Sequence, residues 1–209
     1  MFGTTDLALF VVSGLLLNIS PGPDTLYILA RTASQGPRGG AVAALGIGAG
    51  LMIHTVAAAL GLSAILAASA TAFGIVKWIG AAYLVYLGAV LFLSRPAHRP
   101  QTPVLPAATL RTVFFQGLLT NVLNPKVALF FLAFLPQFIE PATPDKTAAF
   151  LFLGLIFNVN GTLWNLFVAW SAARLSNRLR SARHTLWLNR TIGALLVYLG
   201  VRLAISHES

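Results

Sequence analysis

The sequence predicts an all-α integral membrane protein: six transmembrane helices in two inverted three-helix repeats, with helices 1 and 4 broken mid-membrane. Three observations carry this prediction: the composition, the spacing of the apolar runs, and proline-bearing interruptions at matching places in the two halves. Of 209 residues, 57% are hydrophobic and 9% charged, with a mean hydropathy of +0.80. A soluble domain carries about 25% charged residues, so a water-soluble fold is excluded. Disorder is excluded by the same apolar excess. The absence of cysteine removes disulfides, thiolate metal sites and cysteine nucleophiles together. A net charge of +9 would suggest nucleic acid only if the basic residues shared one folded surface. Here they punctuate apolar runs, so the partners expected are membrane lipids and not nucleic acid.

A helix crosses the hydrocarbon core in about 20 mostly apolar residues. Six such segments can be drawn: Leu7–Ala33, Gly40–Ala68, Phe73–Leu93, Thr112–Ile139, Ala148–Ala173 and Leu186–Ser206. They are separated by Gln35-Gly36-Pro37-Arg38, a turn near Ser69, the Pro-rich 95–106 stretch, Glu140–Lys146 and the basic 174–190 stretch. Strand-type alternation is absent, and the bilayer's demand for internal hydrogen bonding then leaves helices. The first Arg is Arg31, so no basic region precedes Leu7, and the first apolar run is expected to be a retained span. Ten basic residues fall in or beside the odd-numbered loops and three, Lys77, Lys146 and Arg202, on the other face. The positive-inside rule puts the odd loops in the cytoplasm and both termini outside.

The halves resemble each other in order. Ser20-Pro21 aligns with Asn124-Pro125 at a spacing of 104, and Gly50–His54 with Gly154–Asn158 at the same spacing. Ile79-Gly80-Ala81 recurs as Ile192-Gly193-Ala194, and Val85–Gly88 as Val197–Gly200. The expected organisation is residues 1–94 as one repeat, 95–111 as a cytoplasmic linker and 112–209 as the second repeat, together one transport domain. Three spans is an odd number, so the second copy enters from the opposite side. Inverted repeats of this kind hold substrate near the midplane, where discontinuous helices meet.

Both interruptions carry the residues such a site needs. Span 1 reads Asn18-Ile19-Ser20-Pro21-Gly22-Pro23-Asp24, and span 4 reads Asn121-Val122-Leu123-Asn124-Pro125-Lys126. Proline removes a donor and disfavours helix in the residue before it. A restarted helix presents free amides and a partial positive charge, which attract a carboxylate. Kinks alone are the plain alternative. Asp24 and Lys126 are the two fully charged residues expected deep in the bilayer, where each needs a partner or a wet cavity. Asp24 is expected to take a substrate ammonium or a proton, and Lys126 to pair with Asp24 in one state and a substrate carboxylate in the other. A static ion pair is the alternative. The expectation requires interrupted spans with their prolines turned away from lipid.

Span 2 contributes His54, either a proton relay or a hydrogen bond to a neighbouring helix. Asn158, Thr162 and Asn165 share one face of span 5, as cavity lining or as interhelical adhesive. No phosphate-binding loop, HExxH motif or pair of intramembrane acids is present, and no cofactor or metal site is expected. An enzyme reading is therefore weak.

Ser20-Pro21-Gly22-Pro23-Asp24-Thr25-Leu26-Tyr27, followed by Arg31 and Gln35-Gly36, resembles the first-helix motif of the LysE/RhtB family of amino-acid exporters. Gln116 through Lys126, continuing by Phe130-Phe131 to Leu135-Pro136-Gln137-Phe138, is similar to that family's fourth-helix motif. The resemblance covers nearly the whole chain. It implies proton-driven efflux of amino acids or similar small zwitterions across a bacterial inner membrane. It also places Pro21, Gly22, Pro23, Asp24, Asn121, Asn124, Pro125 and Lys126 in the family's signature breaks. Ser20 departs from the residue members often carry there, which loosens inference about the substrate. Alternatives left open are a metal cation or an amphiphile as cargo, or a membrane-embedded enzyme. Oligomeric state is open as well, since the glycine-rich faces could pack within one chain or between two.

Overall fold

The computed structural model describes residues 3–20, 22–64, 70–93, 105–140 and 142–174, and part of a last helical segment between 190 and 205. Its helices are α1 (Leu7–Ile19), α2 (Pro23–Ala57), α3 (Ala70–Phe92), α4 (Leu110–Val122), α5 (Pro125–Ala133) and α6 (Lys146–Arg174). A π-helical turn, Ala58–Leu62, extends α2, and a 3₁₀ turn, Leu135–Phe138, follows α5. Helix is the only regular element among the described residues, beside one isolated bridge between Thr4 and Ile139. Pro21, residues 175–189 and most of the 95–106 stretch lie outside them, as does much of the sixth expected span.

Prolines decide where the helices stop. Ser20 precedes Pro21 with ψ 120°, Gly22 precedes Pro23 with ψ −173°, and Asn124 precedes Pro125 with ψ 107°. Each has left the helical region because the proline ring crowds the backbone before it. Gly36 precedes Pro37 with φ 72° and ψ −169°, a conformation only glycine adopts without strain. Uninterrupted, Pro23–Leu62 would measure about 60 Å, twice the hydrocarbon core. The glycine divides it into a first arm, Pro23–Gln35, and a second arm from Pro37 onward, at the turn expected from Gln35-Gly36-Pro37.

Two helical stretches are long and apolar enough to cross a membrane, Pro23–Leu62 and Lys146–Arg174. Leu110–Val122 with Pro125–Phe138, bent by 50°, makes a third if the pair is one span. Large apolar side chains such as Leu26, Leu60, Leu123, Leu163 and Phe167 are exposed, as a lipid-facing surface requires.

Helix α2 packs chiefly on α4 and α6, α1 on α6, and α3 on α5. Close approach needs small residues. A side chain at Gly46 would strike the Phe114 backbone, and one at Gly117 would lie 2.7 Å from the Ala43 carbonyl. Two apolar clusters result. Phe10, Phe130, Phe134, Phe138, Phe150 and Phe157 anchor one between α1, α5 and α6. Ile28, Ala43, Ile47, Val113 and Ala169 form the other between α2, α4 and α6.

Candidate functional site

The two breaks meet beside the first of these clusters, which supplies Leu17, Leu51, Val127 and Phe157 to the cavity there. Lys126, in the first turn of α5, donates from Nζ to the carbonyls of Ser20 (2.9 Å) and Leu17 (3.2 Å). Those carbonyls end α1, where unpaired acceptors and the negative end of the helix dipole favour a cation. Gly22 leaves room for the ammonium, since a Cβ there would lie 3.2 Å from Nζ. Across the gap, Asn121 Nδ2 donates to Asp24 Oδ2 at 2.8 Å, joining α4 to the first turn of α2. Among the described residues Lys126 thus bonds the end of α1, while Asp24 bonds an amide, and the pair expected between them is not formed.

The two restarted helices differ. Asn124 Oδ1 accepts from the Lys126 amide at 3.0 Å and so caps α5 itself. At α2, Gly22 has no side chain to cap with and Pro23 has no N–H, which leaves the first-turn amides uncapped by any side chain. Only one of the two expected anion-attracting ends is therefore open.

Leu17, Asn18, Asp24, Thr25, Leu51, Asn121, Lys126, Val127, Phe157 and Asn165 line a cavity of about 20 Å³. That is room for roughly one water and far less than an amino acid needs. Its polar lining is incompletely bonded. Among the described residues, seven buried side-chain polar atoms lack a hydrogen bond of good geometry. Five of them belong to the breaks: Asn18 Nδ2, Ser20 Oγ, Asp24 Oδ1, Asn121 Oδ1 and Asn124 Nδ2. Native interiors leave few such atoms, so their clustering marks the breaks as a polar site.

Several residues expected at the site sit elsewhere. Pro23 and Pro125 are exposed at the first helical positions of α2 and α5, where a proline acts on its own backbone and its ring need not face the break's interior. Pro21 lies outside the described residues. His54 Nε2 meets the Asn121 carbonyl at 3.2 Å and its ring lies against Phe131, so it joins α2 to α4 beside the cavity and does not line it. Asn158 donates to the Gly48 carbonyl at 3.1 Å and accepts from Thr162 Oγ1 at 3.0 Å, so both serve the contact of α6 with α2. Ser20, Gly22 and Asn124 shape the breaks without lining the cavity. Thr25 and the apolar wall of Leu17, Leu51, Val127 and Phe157 were not singled out in the sequence. Their signal was proximity: Thr25 follows Asp24, and Phe157 precedes Asn158.

The LysE type translocator family profile matches residues 15–207. A homoserine/homoserine lactone efflux protein of Salmonella typhi is 31% identical, with 96% of each chain covered. A leucine efflux protein of Salmonella typhimurium is 26% identical over 97% of this chain and 96% of its own. An uncharacterized membrane protein of Pseudomonas aeruginosa is 34% identical over 97% and 96%. No solved structure matches the chain. With a family match over nearly its full length and interrupted helices where the family's two motifs fall, the chain belongs to the LysE type translocators.

Proposed function

We propose that this protein exports amino acids or related small zwitterions across a bacterial inner membrane, by proton-driven alternating access. The observation that carries the reading is the set of unsatisfied atoms at the breaks. Of those that line the cavity, Asn18 Nδ2 is a donor, and Asp24 Oδ1 and Asn121 Oδ1 are acceptors. A zwitterion brings a carboxylate to the donor and an ammonium to the acceptors, and the uncapped first turn of α2 adds amides on the carboxylate side. Efflux relatives named for homoserine and leucine support an amino-acid cargo.

In this reading six spans form two inverted repeats, 1–94 and 112–209, joined by a cytoplasmic linker, with both termini outside. The substrate ammonium sits at Asp24. Protonation of that carboxylate from the outer side discharges the ammonium and resets the carrier. Since the present cavity holds about one water, loading requires one wall to move.

Counterflow of labelled leucine and homoserine in proteoliposomes tests the reading. Asp24→Asn keeps the shape and the bond from Asn121 but loses charge and proton, so exchange should fall about a hundredfold and its response to a pH gradient should vanish. Normal exchange by Asp24→Asn that still follows the gradient would sink it.

A further inference from the structure

Two helical turns beyond Asp24, on the same face of α2, lies Arg31, only 3% exposed. Among the described residues, four of its five N–H groups are engaged. Nη2 donates to Gln116 Oε1 at 2.6 Å, Nη1 to Gln35 Oε1 at 3.0 Å and the Pro106 carbonyl at 2.9 Å, and Nε to Tyr27 Oη at 3.2 Å. Its neighbours extend the same seam. Tyr27 Oη donates to the Val113 carbonyl at 2.9 Å, and Gln35 Nε2 to the Ala108 carbonyl at 2.7 Å.

None of these partners is an acid. A buried cation is ordinarily met by a carboxylate, because removal from water is otherwise poorly compensated. Among the described residues, four neutral oxygens take four of its N–H groups and no carboxylate pairs with the charge. They also come from both sides of one seam: Tyr27 and Gln35 from the first arm of α2, Pro106 from the chain entering α4 and Gln116 from α4 itself. The seam continues along the same pair of helices, one to two turns from the Asp24–Asn121 bond at the cavity, and the arm ends at Gly36.

We propose that Arg31 and Gln116 are the latch of a gate on this side of the cavity, holding the first arm of α2 against α4 until the cavity opens for loading or release. The proposal rests on the transport reading above. Neutral acceptors suit a latch that must release on every cycle, since water can replace a carbonyl oxygen at little net change in hydrogen bonding. A carboxylate at position 116 would form a two-pronged charged pair and hold the arm shut. A lysine at position 31 would keep the charge but could not reach all four acceptors from one nitrogen.

The absence of native cysteine allows a direct readout. A Thr25→Cys reporter on the cavity wall is reacted with a water-soluble, lipid-impermeant thiol reagent in nanodiscs, where both faces are open. On that background Gln116→Ala and Arg31→Lys should raise the labelling rate about fivefold, and Gln116→Glu should lower it about fivefold, the scale of one hydrogen bond. Leucine counterflow by Gln116→Glu without the reporter should fall about tenfold. Gln116→Glu preserves size and polarity, so it remains informative should the other two variants misfold. Labelling rates within twofold of the reporter alone in every folded variant overturn the latch, even where the unsubstituted protein transports leucine. Labelling that shifts as stated in a protein that moves no amino acid keeps the latch and removes the transport reading.

Discussion

On one side of the cavity, between α1, α5 and α6, Phe10, Phe130, Phe134 and Phe138 pack ring on ring, with Phe134 centred 4.7 Å from Phe130 and 4.8 Å from Phe138. Backbone bonds fasten that side further. The Thr5 amide donates to Phe138 and the Glu140 amide to Gly3, both at 2.9 Å. On the other side, the seam between α2 and α4 adds the oxygens around Arg31 to the apolar cluster of Ile28, Ala43, Ile47 and Val113. Aromatic packing is lost area by area when water enters, at about 25 cal/mol per Å². A hydrogen bond to a neutral oxygen is exchanged for one to water at a net cost of about 1 kcal/mol. In the proposed reading, the side closed by ring packing is the anchor, and the side whose packing is supplemented by exchangeable bonds is the one that opens.

The contrast is sharpest in stability. Phe134→Ala removes a fully buried ring from the centre of the stack and should cost about 3–5 kcal/mol in a detergent unfolding titration. A loss below about 1 kcal/mol would make the two sides alike. A smaller effect belongs to Gly36, where the first arm of α2 ends. Gly36→Ala meets no atom within 4 Å, so its cost is purely conformational, about 1–3 kcal/mol by the same titration. An unchanged midpoint would show that the arm does not depend on this backbone state. The smallest effect is expected from Asn158→Leu, which sits in neither closure. Loss of its bond to Gly48 should cost about 0.6 kcal/mol, with leucine counterflow within about twofold of the parent. A collapse of transport there would return Asn158 to the cavity wall.

How much of this was legible depended on whether the cause was local. Proline acts on the residue before it, so the stops at Ser20, Gly22, Gly36 and Asn124 could be read from dipeptides. Apolar length likewise placed the fifth span, expected over Ala148–Ala173 and found over Lys146–Arg174. Partners chosen by tertiary packing were not legible. Arg31 counted as an orienting charge beside a loop, yet it is buried in α2 against Gln116, which is far away in sequence. The row Asp24, Tyr27, Arg31 and Gln35, at helical spacing, was the available signal. Lys126 was expected to face a carboxylate, but the end of α1 offered it carbonyls nearer at hand. Nothing in composition distinguishes an acceptor on a side chain from one on a backbone.

That bond from Lys126 has a mechanical meaning. Its ammonium belongs to one interrupted span and grips the stub of the other, so the two are geared. A slide of α1 by more than about an ångström stretches the grip beyond hydrogen-bonding reach unless α5 follows. Motion begun in α1 is thereby handed to α5 through this bond as well as through the stacking of Phe10 on Phe134.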